Sequence, residues 1–319
     1  MIGDGILKLP FLAALRREWP QARIAWATAG PTVYAGLLKP VAAQLGIEVL
    51  ANLETQLGWR ALLEAPLLGQ RFDIVIDTQA QVARTLAVRR IRHDRFFSGA
   101  LGYRLGDGCP REAPPEAILG RLMVLAALAA GRALAPAPPP PASGRWAEAA
   151  AALLPPGPTY VGLAPGAGGK NKCWPLERYT ELARRLASKD LTPVVLLGPE
   201  EKDWVAPLKA ELPQALFPEW DRRDAFQDLK GPYLAIALCA RLKAGVANNA
   251  APAQMMAAGG APVLALHERA RSAAKFRPFG SRVETLAAED FGEGMGAIPI
   301  EAVEAALLRL MACGSTSSP

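Results

Sequence analysis

Apolar positions along the chain alternate between helical and strand periods. In the first half, Phe11 to Trp19 carries apolar residues at helical spacing, and Arg23 to Ala27 reads as a strand. Tyr34 to Gln44 is predicted helical, Phe72 to Asp77 (FDIVID) a strand, and Gln81 to Arg90 a further helix. In the second half, strands are predicted at Tyr160 to Ala164, Pro193 to Leu197, Ala244 to Ala247 and Pro262 to Leu266. Helices are predicted between them at 176–187, 201–211, 233–241 and 252–258. Ala135 to Gly144, APAPPPPASG, can be neither helix nor central strand and reads as a semi-rigid linker. The βαβ rhythm on either side predicts an α/β protein of two doubly wound, Rossmann-like domains, 1–140 and 141–319. Ligands of such sheets sit at the carboxyl ends of the strands, here expected to face a cleft between the domains. The rhythm lacks its opening beat. Met1 to Pro10, MIGDGILKLP, enters a helix directly from a Gly-Asp-Gly turn, where a doubly wound domain ordinarily begins with a strand. A missing first strand would leave a sheet edge or core slot for another element to fill.

Composition narrows the class. Half of the 319 residues (51%) are hydrophobic, enough for two cores. No run approaches the roughly 18 apolar residues of a membrane span, and no signal peptide opens the chain, so a soluble, cytoplasmic protein is expected. Leu122 to Ala130 is the most apolar stretch, and with Arg121 and Arg132 at its ends it reads as a buried helix. Cys109, Cys173, Cys239 and Cys313 are scattered without C-x-x-C pairs or nearby histidine, which argues against disulfides and against a metal site. His93 and His267 are the only histidines, and neither stands in a context that suggests a Ser-His-Asp or Cys-His mechanism. The net charge of +6 favours anionic partners such as nucleotides, phosphorylated glycolipids or an anionic membrane surface. Nucleic acid is not expected, because the basic residues are not read as concentrated in a tract with interleaved aromatics.

Two segments carry candidate chemistry. Val161 to Leu186, VGLAPGAGGKNKCWPLERYTELARRL, joins a strand to a glycine-rich turn, two lysines and an amphipathic helix. A turn around Gly166 can bring backbone N–H groups close to a phosphate; Lys170 and Lys172 add charge, and the helix dipole adds more. The plainer reading, an ordinary βα connection with surface lysines, has equal weight. Arg241 to Leu266 repeats the pattern: Asn248 or Asn249 as helix cap, Ala250 and Ala251 small enough for close approach, Pro252 in the first turn and Gln254 after it. Capping alone accounts for those asparagines. Asp4, Glu200 and Glu201 are each explained equally by the dipole of the helix they begin. Arg269, Arg271 and Lys275 follow the last predicted strand as further phosphate candidates or a solvated loop.

Taken in order, these pieces resemble glycosyltransferase family 9, the lipopolysaccharide heptosyltransferases of the GT-B fold. The resembling residues are Gly3-Asp4-Gly5 to Pro10, Trp19-Pro20, Phe72 to Gln79, Pro165-Gly166, Lys172-Cys173-Trp174-Pro175 before Tyr179, Leu197-Gly198-Pro199-Glu200-Glu201, and Asn249 to Gln254. The resemblance implies an inverting, metal-independent transferase. Asp4 would be the base for an acceptor sugar hydroxyl, Lys172 would hold the diphosphate, and Glu200 or Glu201 would bind the donor ribose. It implies a nucleotide-diphosphate sugar, ADP-heptose foremost, as co-substrate with no cofactor. It also implies a saccharide or glycolipid acceptor served by the first domain, with peripheral contact at the inner face of an anionic membrane. The final turn departs from the family's Asp-Ser/Thr-Gly-Pro-x-His: Asn249, Ala250, Ala251 and Gln254 replace the polar side chains, and only Pro252 remains. A GT-B protein that binds a nucleotide sugar or a partner without catalysis is the alternative.

Overall fold

The computed structural model describes residues 1–53, 70–169, 172–221, 226 and 228–312. The chain divides into two compact units, Lys8–Pro140 and Pro141–Pro319, with Met1–Leu7 grouped with the second. The boundary expected from sequence put those seven residues in the first.

The first helix, α1 (Ile2–Glu18), takes in the Gly-Asp-Gly residues and runs across Pro10, where a turn and a later helix start were expected. Ile6, Leu7, Leu9, Phe11, Leu12, Ala14 and Leu15 are all buried, so this helix is apolar on nearly every side. Burial outweighs the hydrogen bond that Pro10 cannot make. The carbonyl of Pro10 accepts the Ala137 N–H at 3.1 Å, and Arg17 donates to Ala135 O at 2.8 Å, laying the proline-rich segment against the helix. Arg16 closes the other end, donating to Leu45 O, Gly46 O and Ala22 O at 2.8 Å each.

After it come β1 (Ile24–Ala27), α2 (Lys39–Gln44), β2 (Ile47–Leu50), β3 (Arg71–Asp77), α3 (Val82–Val88), β4 (Arg92–Ser98) and α4 (Ile118–Ala130). Among the described residues these strands do not form one sheet. β1 pairs in parallel with β2, and β3 with β4, as two separate two-stranded sheets. No described strand precedes β1. At the carboxyl end of β3 the buried Asp77 accepts hydrogen bonds from Gln79 N (2.9 Å), Ser98 Oγ (2.8 Å) and Thr85 Oγ1, which joins β3, α3 and β4.

The second unit continues with α5 (Arg145–Leu153), β5 (Thr159–Ala164), α6 (Leu176–Ala187), β6 (Leu191–Val195), α7 (Val205–Glu211), α8 (Pro218–Asp221) and α9 (Pro232–Cys239). It ends with β7 (Ala244–Asn248), α10 (Ala251–Ala258), β8 (Val263–His267), α11 (Ala270–Phe276), β9 (Val283–Ala287) and α12 (Ile300–Ala312). All five strands are parallel, in the order β6-β5-β7-β8-β9. Alternate residues of β5 supply two cores: Val161 and Leu163 pack with Leu182, Leu186 and Leu307, while Tyr160 and Ala164 pack with Leu153, Leu238 and Met256. Glycines let α10 sit close to the sheet. A Cβ at Gly162 would stand 3.1 Å from Met256 Cε, and one at Gly245 would stand 2.6 Å from Met256 Sδ.

Candidate functional site

β5 and β7 are neighbours in the sheet although β6 lies between them in sequence, so the winding reverses there. Ligands of doubly wound sheets bind at the carboxyl ends of strands at such a switch point. Both candidate turns leave from it: Pro165 to Gly169 follows β5, and Asn249 to Pro252 follows β7.

Asn248 fastens the two turns together. Fully buried at the end of β7, it donates Nδ2–H to Pro165 O at 2.7 Å and accepts the Trp174 N–H on Oδ1 at 2.9 Å. Trp174 is buried in turn: its indole N–H donates to Ile298 O at 2.9 Å, and its ring meets Tyr179 edge-on at 5.0 Å. Trp174 and Pro175 therefore anchor the start of α6, and Lys172 stands exposed two residues earlier with its own N–H bonded to Gly169 O. Among the described residues no acid pairs with Lys172. Lys170 lies outside the described residues.

Glu201 is the acid that enters the site. A Cβ at Gly166 would stand 2.4 Å from Glu201 Oε1, and one at Gly198 would stand 2.9 Å from its Oε2, so the carboxylate occupies space left by two glycines. Burial raises its pKa, the neighbouring charge of Glu200 adds to the rise, and the backbone N–H groups of Gly198 and Glu201 offset part of it. The Cys173 thiol is also pushed up, first by burial and then by the Glu201 charge, which places thiol and carboxylate in one electrostatic neighbourhood. Glu200, one residue away, is exposed.

The turn after β7 differs from the expectation that an asparagine caps the helix. Ala250 is the N-cap of α10 and offers no side-chain hydrogen bond, while Pro252 stands in the first turn as expected. Asn249 instead donates to Ser272 Oγ at 2.7 Å, and the buried Gln254 donates to Phe276 O at 2.8 Å, so both amides secure α11. Without a capping side chain, the first N–H groups of α10, at Ala251 and beyond, are left for a ligand or water. The start of α1 lies against this turn, since a Cβ at Gly3 would stand 3.3 Å from Ala251 Cα. Asp4, exposed in the first turn of α1, follows directly. Arg269, Arg271 and Lys275 are exposed along α11, with Lys275 over the Phe276 ring.

The roles of two residues with strong local chemistry are not read from the sequence, where Asn248 stands as a possible helix cap and His267 as a histidine in an unremarkable context. Asn248 ends a buried strand, AGVAN, and a polar side chain continuing an inward-facing period was the available signal. His267, at the end of β8, is fully buried with neither ring nitrogen hydrogen-bonded, and burial lowers its pKa to about 4. Among the described residues no group of His, Cys, Asp and Glu could hold a metal, and no helix is long and apolar enough to cross a membrane.

The model of glycosyltransferase family 9 (heptosyltransferase) matches residues 60–294. No curated protein sequence matches the chain. Among solved structures, a glycosyl transferase of family 9 from Veillonella parvula is similar at 17% identity and a TM-score of 0.73, over 98% of this chain and 95% of that one. ADP-heptose lps heptosyltransferase II from E. coli is similar at 19% identity and 0.66, over 98% and 96%. E. coli heptosyltransferase WaaC, solved with ADP, is similar at 17% identity and 0.67, over 97% of each chain. These structures show the same fold.

Proposed function

Because the chain belongs to glycosyltransferase family 9, the heptosyltransferases, we propose that it moves a heptose from ADP-heptose to a saccharide of lipopolysaccharide type, with inversion and without a metal. The observation that carries this reading is the carboxylate of Glu201, held between Gly166 and Gly198 at the switch point, with the exposed Lys172 on the adjoining turn. A half-buried carboxylate accepts hydrogen bonds from a ribose diol, and a lysine beside backbone N–H donors balances a diphosphate. Of the two acids open in the sequence, Glu201 takes the ribose role. Lys172, with Lys170 as a second cation, clamps the diphosphate. The turn from Asn249 through Pro252 cradles the donor by its backbone at Ala250 and Ala251.

In the reaction the acceptor hydroxyl oxygen attacks the anomeric carbon as the bond from that carbon to the diphosphate oxygen breaks. ADP departs with the electron pair, and Asp4 takes the hydroxyl proton. Charge developing on the departing diphosphate falls on Lys172 and the amino end of α10, so positive charge is supplied without a metal. A glycolipid acceptor places the enzyme in the cytoplasm at the inner face of an anionic membrane.

Calorimetric titration of ADP, ADP-heptose, GDP and UDP into wild type and Lys172→Ala tests the donor assignment. Adenine diphosphates should bind, and the substitution should weaken them at least tenfold, the value of one charge-assisted contact. Absence of binding by every nucleotide overturns the reading. A second reading, donor binding without turnover, is favoured by Asn249, which is neutral and engaged with Ser272 where the family carries an acid. Release of ADP from ADP-heptose by wild type in the presence of acceptor, lost in Asp4→Asn, separates the two.

A further inference from the structure

Contrary to the expectation that no basic tract interleaves aromatics, the net charge of the chain is concentrated in one short segment that also holds Phe96, Phe97 and Tyr103. Residues 79–104 contain six arginines, Arg84, Arg89, Arg90, Arg92, Arg95 and Arg104, against one acid, Asp94: a net of +5 where the whole chain carries +6. All six arginines are exposed, and Asp94 is bonded to Arg71 outside the segment. The same segment holds three exposed large apolar side chains, Val82 at 41%, Leu86 at 43% and Leu101 at 57%.

Val82, Leu86 and Arg89 share one side of α3, and the loop that carries Leu101 and Arg104 lies against that helix. Val82 and Leu86 are four residues apart on α3, with Thr85 and Ala87 on its buried side. The loop after β4 lies against both ends of that helix: a Cβ at Gly99 would meet Ala80 Cβ at 3.5 Å, and Arg89 donates to Leu105 O at 3.2 Å. At the loop tip Leu101 holds φ +48, and Ala80, just before α3, holds φ +55. Both are strained for residues with a side chain, and such strain persists where the surrounding structure fixes it for use. Leu101 is thus held in an unfavourable backbone conformation with its apolar side chain in water, which neither burial nor local propensity rewards.

We propose that the exposed face of α3 and the loop at 99–105 form a docking surface for an anionic lipid bilayer, which deepens the glycolipid-acceptor reading and rests on it. Arginines on a β-sheet edge can serve only to prevent association, and Arg92 and Arg95 on β4 fit that role. Edge protection does not explain Val82, Leu86 and Leu101. Aliphatic side chains flanked by arginine suit the boundary between headgroups and acyl chains, where the apolar groups insert and the guanidinium groups meet phosphate. A polynucleotide would use exposed aromatic platforms instead, and Phe96 and Phe97 of this segment are buried.

The test is co-sedimentation with vesicles of phosphatidylcholine mixed with phosphatidylglycerol, and with vesicles of phosphatidylcholine alone, at low and high salt. Wild type should bind the anionic vesicles, more weakly at high salt, and leave the neutral ones. R89Q/R104Q should reduce partitioning about twenty-five-fold, at about fivefold for each cation. L86S/L101S should reduce it about tenfold or more while leaving the charge intact. Equal binding of neutral and anionic vesicles, or no vesicle binding at all, overturns the proposal. So does an unchanged L86S/L101S variant whose binding is competed by single-stranded RNA, which would assign the surface to a polyanion. ADP titration of the same variants serves as the folding control and separates the two hypotheses. ADP binding without vesicle binding defeats the surface alone, and vesicle binding without nucleotide binding defeats the transferase reading alone.

Discussion

His267 offers a quantitative test of the core. Its ring is fully buried on the side of β8 shared by Val263 and Ala265, and neither nitrogen has a hydrogen-bond partner among the described residues. Burial lowers its pKa from the usual 6.5 to about 4, so the folded protein keeps the ring neutral where the unfolded chain protonates it. Between those values the unfolded state binds more protons, and stability falls as pH falls. A pKa lowered from 6.5 to about 4 corresponds to roughly 3 kcal/mol, most of which is lost between pH 6.5 and pH 4. The perturbation is His267→Leu, which keeps the volume approximately and removes the titration. Urea unfolding of both proteins from pH 8 to pH 4 should show wild type losing about 3 kcal/mol relative to the variant. Comparing the two proteins cancels the other titrating groups. Parallel stability curves would refute the reasoning, because a ring that is solvated or hydrogen-bonded when folded would titrate as it does in the unfolded chain.

Further predictions concern the site and its supports. Gly166→Ala should displace the Glu201 carboxylate, since the new Cβ would lie 2.4 Å from Oε1. It should weaken ADP binding about tenfold to a hundredfold, and Gly166→Ala/Glu201→Ala should be no weaker than Glu201→Ala; additive losses in this cycle would separate the two residues. Asn248→Ala removes both hydrogen bonds that join the turns and leaves the Trp174 N–H and the Pro165 carbonyl unpaired, at a cost of about 2–4 kcal/mol in denaturant unfolding. A cost below about 1 kcal/mol would show that the turns hold without it. Tyr179→Phe should raise stability by about 1 kcal/mol, because the buried Tyr179 hydroxyl has no partner among the described residues; a lower melting temperature would contradict this.

The second unit was largely legible, because its central strands are buried on both faces and read as short apolar runs between helices. β4 was not: RHDRFFS begins with four polar residues, as befits a sheet edge, and its inward period appears only from Phe96. β2 and β9 are short runs interrupted by an acid, IEVL and VETLA, which periodicity alone does not separate from loop. Pro10 suggested a helix boundary, yet α1 continues across it because apolar residues on nearly every side are buried. At the site, the Pro-Gly turn was legible as local chemistry, whereas the Trp174-Pro175 pair entered only through the resemblance to family 9. The role of Asn248 was hidden because its partners lie 74 and 83 residues away, whereas a cap is a local feature and was the simpler reading. Likewise, two adjacent acids in one turn are equivalent in sequence, and only the space left by Gly166 and Gly198 distinguishes Glu201.

The divided sheet of the first unit has a consequence in time. β1 and β3 each have a described ladder on one side only, and two-stranded pieces contribute little cooperative stability of their own. That unit depends on the packing of α1 and α4 and on anchors such as Arg16 and Asp77, so its strand amides exchange with solvent through local opening. In the second unit, β5, β7 and β8 are each paired on both sides, and their amides are released only when the whole unit unfolds. The molecule therefore carries a slow-exchanging half that holds the candidate donor site and a faster half that holds the arginine-rich surface.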